Sequence, residues 1–247
     1  MTPSTTETLA ERLLAVRENI SAACQRVGRS NTSVTLVAVS KTQPAAAVLD
    51  AVANGQVHFG ENRIEEAASK IDSVEKQTSA ALTWHMIGHI QSRKAREVVS
   101  AFDWIHSVDT LKLAERCSNF AVEIGREVNV LLEVNVSGEA SKAGFQASNW
   151  KQDSQQRESL WNDIRRIIKL PGLRIQGLMT MAPIVEQMEQ SRPVFTALRT
   201  LRDAIAVDFP TTTWTTLSMG MTDDYLVAIE EGATMVRIGR AIFGPRG

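Results

Sequence analysis

The chain has 247 residues, a formal net charge of −1 and 22% charged residues, which is the composition of an ordinary globular protein. This charge gives no electrostatic footprint for nucleic acid or an anionic membrane, and no apolar run approaches a membrane span. The first residues are polar rather than signal-like, and two cysteines are too few for a disulfide framework. The cytoplasm is therefore the expected compartment.

Residues 4–28 predict a helix that precedes the first strand. Ser4 and Glu7 have the spacing of a capping box, and Gly28 is a suitable stop. Apolar side chains recur along one stripe at Leu9, Leu13, Val16, Ile20 and Val27. We expect this helix to pack over part of the fold as an extra element.

From there apolar strand patterns alternate with helical ones. The predicted strands are 34–40, 57–60, 84–87, 104–108, 128–134, 175–179, 214–218 and 236–238. Helices are predicted between them, at 45–53, 62–76, 91–102, 110–124, a segment ending near 170, 191–207 and 222–231. Residues 146–158 lie in a region rich in Ser, Gln and Lys that looks like an insertion.

Eight strands alternating with helices favour an α/β fold, a single (β/α)₈ TIM barrel that takes up residues 1–247 as one domain. A doubly wound open sheet is the alternative, because the order of elements along the chain does not show whether the sheet closes.

Lys41 ends the first predicted strand, directly before the turn into a helix. In both candidate folds the carboxyl ends of the strands are where ligands bind. A lysine with an apolar stem at that place is able to lose its proton and attack a carbonyl. On position alone a solvated lysine on a turn is the favoured interpretation, and the other residues of the rim change that balance.

The ends of the last two strands predict a phosphate site. Ser218 brings a hydroxyl and is followed by Gly220 and by Thr222, a predicted helix start. Gly239 permits close approach of the backbone, and Arg240 adds an N–H group and a charge. The alternative is that these glycines only form turns.

Arg237 lies inside the apolar strand MVRIG, where a charged group is costly unless it is paired or faces a ligand. Two explanations stay open at this point. One is a buried ion pair with Glu61 or Asp109, and the other is an arginine facing a ring or an anion in the barrel mouth.

His85 and His89 have the spacing of a zinc-binding helix motif, but their segment predicts a strand. Residues four apart on a strand are roughly 13 Å apart, too far for one metal ion. We therefore expect a structural role for His85 and a position on the rim for His89.

The lysine, the phosphate segments and an arginine two residues before a glycine suggest pyridoxal phosphate (PLP) on a barrel. Over nearly its whole length the chain resembles the single-domain PLP homeostasis proteins of the YggS/PROSC family. The matching stretches are LVAVSKTQP (36–44), HFGENRIEEA (58–67), WHMIGHIQSRK (84–94), IHSVDTLKLAERC (105–117), GLMTMAP (177–183), SMGMTDDYLVAI (218–229) and MVRIGRAIFG (235–244).

The resemblance implies a barrel like the N-terminal domain of alanine racemase, with Lys41 as the lysine that carries PLP as an aldimine. It also implies phosphate contacts from Ser218, Gly239 and Arg240, with Arg237 at the pyridine nitrogen and Asn62 near the cofactor. Arg240 stands where the family commonly has a small residue, so only its backbone contact carries over.

The expected function is a monomeric PLP carrier that maintains PLP supply, with PLP-dependent apoenzymes as candidate recipients. An arginine at the ring nitrogen makes the ring a weaker electron sink, and racemization also needs a second base opposite the lysine. The only tyrosine, Tyr225, lies on a predicted helix rather than in a second domain. A racemase of low activity is the alternative, and a Schiff-base aldolase without cofactor is a third possibility.

Overall fold

The structure is a computed structural model that describes residues 7–244. Its strands are β1 (Thr35–Val39), β2 (His58–Glu61), β3 (Thr83–Met86), β4 (Trp104–Val108), β5 (Val128–Asn135), β6 (Phe145–Gln146), β7 (Leu173–Met179), β8 (Thr216–Ser218) and β9 (Met235–Ile238). Eight of them form a parallel sheet, and the two-residue β6 only extends the end of β5.

The parallel sheet closes into a barrel. β1 pairs with β2 on one side and with β9 on the other, and β4 pairs with both β3 and β5. Every barrel strand therefore has two parallel neighbours, as closure requires. The predicted (β/α)₈ barrel is confirmed, and the open sheet, which would leave two edge strands, is excluded.

The described helices cover the outside of this barrel. They are α1 (Leu9–Arg26), α2 (Ala45–Ala53), α3 (Ile64–Glu75), α4 (Ala95–Ala101), α5 (Leu111–Glu123), α6 (Ser154–Ile167), α7 (Arg192–Asp208), α8 (Tyr225–Glu230) and α9 (Arg240–Phe243). Their buried apolar side chains form one core with the outward-facing side chains of the strands. Within residues 7–244, none of these helices has the length and apolar character needed to cross a membrane.

The two faces of β1 show how the barrel is filled. Ala38 belongs to the core under the helices, whereas Val37 and Val39 are buried but lie outside that core. Side chains alternate along a strand, so Val37 and Val39 face the barrel interior. Lys41 follows two residues later, where the strand ends at the mouth.

The extra N-terminal helix is confirmed, but it begins later than the predicted residue 4. The helix begins at Leu9, and a capping box is formed by Thr8 and Glu11. Ser4 lies outside the described residues. α1 packs on α2, α8 and α9, and Arg12 Nε donates to the carbonyl of Ile242 at 2.7 Å. The helix thus covers the seam where β9 meets β1.

The helix predicted to start at Thr222 starts three residues later, at Tyr225. Residues 221–224 form a turn first, because the Asp224 carboxylate accepts the Met221 N–H at 2.6 Å. The Tyr225 N–H donates to the Met221 carbonyl at 2.9 Å. Thr222 therefore belongs to a rim turn rather than to the cap of α8.

The segment predicted as an insertion, residues 146–158, is anchored on the outside of the barrel. Trp150 stacks on Trp161 of α6 with ring centroids 5.8 Å apart, and the Arg157 guanidinium lies 4.8 Å from the centre of the Trp161 ring. Asp153 caps α6 by accepting the Gln156 N–H at 3.0 Å. Aromatic packing and one helix cap therefore hold this polar segment in place.

Candidate functional site

The predicted site residues all lie toward one end of the barrel, because the carboxyl ends of parallel strands share one rim. One of them, Arg237, sits within a strand, and the others stand at strand ends or just beyond: Lys41 after β1, Asn62 after β2, Ser218 at the end of β8, and Gly239 and Arg240 after β9. The structure brings Ser218 and Arg237 into direct contact.

The residue before Lys41 is held by a buried ion pair. Lys70 Nζ donates to the Ser40 carbonyl and to Glu61 Oε1, both at 2.8 Å. The Ser40 hydroxyl donates to the same carboxylate oxygen at 2.7 Å. Glu61 is fully buried and Lys70 nearly so. This cluster fixes the ends of β1 and β2 relative to α3 and thereby fixes the start of the turn that carries Lys41.

The residue after Lys41 is strained. Thr42 has a φ of +63°, and it is the only non-glycine residue with positive φ within residues 7–244. A β-branched side chain in this region of φ and ψ costs on the order of 1–3 kcal/mol and persists only where the surroundings impose it. Such strain clusters at functional sites, and here it sets the direction of the chain directly beyond Lys41.

Arg237 is buried in the barrel interior, with 4% of its surface exposed. Its guanidinium donates to the Ser218 hydroxyl and, at 3.0 Å, to the Thr180 carbonyl. The ion pair with Glu61 or Asp109 that the sequence allowed is not formed. Glu61 pairs with Lys70, and the Asp109 carboxylate lies 3.1 Å from His89 Nδ1.

Two of the five N–H donors of the Arg237 guanidinium are used in the bonds to Ser218 and Thr180. Burial lowers the pKa of Arg237 to about 10, although Asp224 and Glu133 nearby act in the opposite direction. The side chain is therefore a charged donor set in an enclosed place, with capacity left for a ligand.

Glu133 of β5 is a second buried titratable group, and sequence reasoning did not single it out. Burial, together with the charge of Asp109, raises the pKa of this carboxyl to about 7, although Arg237 and His89 act to lower it. β5 stands four strands away from β1 on either side of the eight-stranded ring. Glu133 therefore lies across the barrel from the strand that leads to Lys41.

Behind Arg237 runs a chain of hydrogen bonds that the sequence did not reveal. The Ser218 oxygen lies 2.9 Å from His106 Nδ1, and His106 Nε2 lies 2.9 Å from His85 Nδ1. His85 Nε2 lies 3.1 Å from His58 Nδ1. Burial lowers the pKa values of His85 and His106 well below the usual value. Ser218 is fully buried, and its hydroxyl faces Arg237 and His106.

The end of β9 lies close to β1. A Cβ atom added to Gly239 would lie 3.2 Å from the Val39 carbonyl oxygen, two residues before Lys41. Arg240 opens α9, so its N–H lies in the first turn, where the helix supplies no acceptor. The Arg240 side chain turns outward to Asp223 and is half exposed. The backbone of this segment, rather than the guanidinium, is thus presented at the rim.

Asn62 is fixed by the tight approach of Gly88. A Cβ atom at Gly88 would lie 2.3 Å from the Asn62 carbonyl oxygen, so only glycine fits there.

His85 and His89 are separated as expected, since His85 is fully buried and the side chain of His89 is 64% exposed. Within residues 7–244 no group of three or more His, Cys, Asp or Glu side chains is placed to hold a metal ion.

Comparison with known proteins shows the family. The alanine racemase N-terminal domain family matches residues 12–247. The pyridoxal phosphate homeostasis protein of Escherichia coli K12 is 40% identical over 243 residues, which cover 96% of this chain and 97% of that protein. The protein of the same name from Pseudomonas aeruginosa is 42% identical over 239 residues, covering 97% and 96%.

Solved structures agree with this relationship. PipY of Synechococcus elongatus, determined with PLP bound, is 38% identical with a TM-score of 0.81, covering 96% of this chain and 100% of that one. Alanine racemase of Clostridium difficile is 13% identical with a TM-score of 0.64, and the match covers 96% of this chain and 56% of that enzyme. The similarity to alanine racemase shows only that the two proteins share a fold.

The buried Lys70–Glu61 pair gives the first prediction. Lys70→Met should lower the free energy of unfolding by about 3–5 kcal/mol, because Glu61 would keep a buried charge without its cationic partner. The double variant Lys70→Met/Glu61→Gln should recover much of that loss. Lys76→Met, which breaks an exposed ion pair with Asp72 next to the same helix, should leave stability nearly unchanged in urea unfolding. Equal losses for the two lysine variants would contradict the role assigned to Lys70.

The second prediction concerns acid stability. At pH values below about 6.5 the unfolded chain binds protons at His85 and His106 that the folded chain does not bind, so the free energy of unfolding falls as the pH falls. Because burial lowers the folded-state pKa of each ring, each imidazole contributes a slope that approaches about 1.4 kcal/mol per pH unit once the pH is well below 6.5 and still above that folded-state pKa. Urea unfolding at several pH values should show a slope smaller by that amount in His85→Asn. The exposed His89→Asn is the control, and an unaltered slope in His85→Asn would refute the assignment.

Proposed function

The chain belongs to the family of pyridoxal phosphate homeostasis proteins, and on that basis we propose that it binds PLP at the barrel mouth through the Lys41 amine. The proposal rests mainly on Arg237. Its guanidinium is buried in the interior of a barrel whose rim bears Lys41, and only two of its five N–H donors are used in the bonds to Ser218 and Thr180. The strained turn at Thr42 and the name and bound PLP of the relatives support it.

The donor set fits the ring end of PLP. A pyridine nitrogen without a proton is a hydrogen-bond acceptor, and the unused N–H groups of Arg237 are donors only. We propose that Arg237 donates to this nitrogen and that Asn62, held by Gly88, borders the cofactor on the β2 side. Ser218 then acts at the ring end of the site, because its hydroxyl holds Arg237.

The segments after β8 and β9 fit the phosphate end. The proposed phosphate donors are the backbone N–H groups of Gly220, Thr222, Gly239 and Arg240, together with the Thr222 hydroxyl. The N–H groups of Met219 and Met221 already donate to the Met235 carbonyl and the Asp224 carboxylate. The phosphate role that the sequence suggested for the Ser218 hydroxyl stays a prediction, and its two partners within the barrel favour the ring-end role. For Arg240 we propose a backbone contact, because its side chain pairs with Asp223.

When bound, PLP supplies a reactive aldehyde and an electron-withdrawing ring. Arg237, as a donor to the ring nitrogen, keeps that nitrogen unprotonated and the ring a weak electron sink. Lys41 provides the point of attachment, fixed by Ser40 on one side and by Thr42 on the other. These residues suit holding and releasing the cofactor better than breaking bonds to carbon, which favours a carrier that serves PLP-dependent apoenzymes.

A low-activity racemase is the second candidate, and Glu133 is the observation that favours it. Racemization needs a proton-transfer group on the face opposite the lysine. The only tyrosine does not serve, because Tyr225 is buried on α8, which packs against α1. Glu133, with a pKa raised to about 7 by burial, lies on the opposite side of the barrel from β1.

Attachment to Lys41 is tested by reduction and peptide mapping. Incubation with PLP followed by borohydride should fix the cofactor on Lys41, and Lys41→Arg should abolish the adduct. Lys142→Arg is the matched control, because Lys142 contacts the Met181 carbonyl after β7 at the same end of the barrel. A protein that gains no visible absorbance with PLP, or an adduct mapped to a different lysine, would disprove the proposal.

The phosphate site is tested with two ligands. Gly239→Val should push the end of β9 away from Val39 and remove backbone contacts to the phosphate, each worth about 1.5–3 kcal/mol as a charge-assisted hydrogen bond. Binding of PLP should therefore weaken by at least about tenfold, while pyridoxal, which lacks the phosphate, should be little affected. Equal weakening of both ligands in titrations would argue against a phosphate site here.

The carrier assignment is tested by proton exchange. In deuterated water the PLP-loaded protein should exchange the α-proton of L- and D-amino acids slowly or not at all, as followed by NMR beside a true racemase. Exchange at a typical enzymatic rate of about 1–10³ s⁻¹ would restore the racemase. Glu133→Gln would then show whether Glu133 is the second base, with His89→Asn as the comparison.

A further inference from the structure

Three histidines and a serine form one continuous hydrogen-bonded column through the barrel. It passes from His58 on β2 to His85 on β3 and His106 on β4, with nitrogen–nitrogen distances of 3.1 and 2.9 Å. From β4 it crosses the interior to Ser218 on β8, 2.9 Å from His106 Nδ1, and ends at Arg237 on β9. The inner members are fully buried, and only His58 is partly exposed.

All the hydrogen bonds of the column run in the same donor-to-acceptor direction, and Arg237 sets that direction. A guanidinium has no acceptor, so Arg237 donates to the Ser218 oxygen. The Ser218 hydroxyl hydrogen then has one partner left, His106 Nδ1, which must accept it. His106 therefore carries its hydrogen on Nε2 and donates to His85 Nδ1. By the same step His85 carries its hydrogen on Nε2 and donates to His58 Nδ1.

The opposite direction is costly. If His106 donated from Nδ1, the Ser218 oxygen would accept from both His106 and Arg237, and its own hydrogen would have no partner within the described residues. An unsatisfied buried polar group of this kind is unfavourable. Protonating His85 would set its Nδ1–H against the Nε2–H of His106, and protonating His106 would leave the Ser218 hydrogen without a partner within the described residues. The low pKa values of His85 and His106, caused mainly by burial, agree with a neutral column.

We propose that His58, His85 and His106, each in the Nε2–H form, are positioning residues that orient the Ser218 hydroxyl and thereby hold the guanidinium of Arg237 toward the ligand. The identity of the ligand rests on the proposed function, but the column itself is a property of the protein without ligand. A purely structural role would require only that the rings fill space. The proposal requires in addition that each group donates to the next in the same order, from Ser218 through His106 and His85 to His58.

The first test is made on the protein without PLP. Nitrogen-15 NMR of labelled histidine should show the Nε2–H form at all three rings. In Ser218→Ala the source of the direction is lost, so His85 and His58, which do not touch Ser218, should shift toward the average of the two neutral forms. An Nδ1–H form in the unaltered protein, or unchanged tautomers at both rings in Ser218→Ala, would overturn the proposal.

His89→Asn is the control for this test, because His89 is exposed and outside the column. Its substitution should leave the three column signals unchanged. A change of tautomer in the column caused by His89→Asn would also count against the proposal, since it would show that the tautomers respond to any charge or packing change near the rim. The tautomers of the unaltered protein test the proposal even if Ser218→Ala does not fold.

The second test reads the effect on ligand binding. His85→Phe keeps a flat ring but removes the acceptor of His106 Nε2–H, so the hold on Arg237 should loosen. PLP and pyridoxal, which share the ring, should both bind roughly 2- to 10-fold more weakly and by the same factor. Unchanged affinity, or a loss confined to PLP, would refute the link to Arg237. If the unaltered protein binds neither ligand, the proposed function fails, while the tautomer test still decides on the column.

Discussion

The buried guanidinium of Arg237 is the constraint on which the rest of the site depends. A charge inside a barrel is tolerated only if its donors meet acceptors, and here β8 and the segment after β7 provide them through Ser218 and Thr180. Meeting that demand ties three neighbouring strand ends together. It also engages the Ser218 hydroxyl and leaves part of the guanidinium for a ligand. The guanidinium is thus held in place by its own need for acceptors, independently of any ligand.

The two ends of the site are built by different physical means. At the lysine end, a buried ion pair and a strained threonine fix the backbone on either side of Lys41. At the proposed phosphate end, Gly239 packs so closely on β1 that an added Cβ atom would lie 3.2 Å from the Val39 carbonyl oxygen. A rigid frame of this kind limits the conformational entropy lost on binding. It suits a protein that holds a reactive cofactor, and it leaves Glu133 as the titratable group across the barrel.

The barrel could be predicted from the sequence because its signals are local. The helix over residues 45–53 and the strand over residues 104–108 were predicted with the bounds that the structure shows, since their periodicity and breakers are clear. The start of α1 and the cap of α8 were missed because several Ser, Thr and Asp residues near each start compete as caps. Ser4 with Glu7 and Thr8 with Glu11 have the same capping-box spacing, so the local pattern alone does not choose between them.

The site was predicted only as far as chain position determines it. A strand-end lysine and glycines after the last strands can be recognised along the sequence. The partners of Arg237 cannot, because Ser218 and Thr180 become neighbours only when the barrel closes. The histidine column is a stronger case, since His58, His85 and His106 stand on three strands and meet only through the barrel interior. Likewise, the raised pKa of Glu133 arises mainly from burial.

The protonation state of the cofactor's ring nitrogen tests the central claim most directly. PLP labelled with nitrogen-15 in the ring can be bound to the protein and its chemical shift followed across the neutral pH range. If Arg237 donates to this atom from its place in the barrel, the shift should be that of an unprotonated pyridine throughout. A pyridinium shift, or a shift that titrates as in free PLP, would contradict the account.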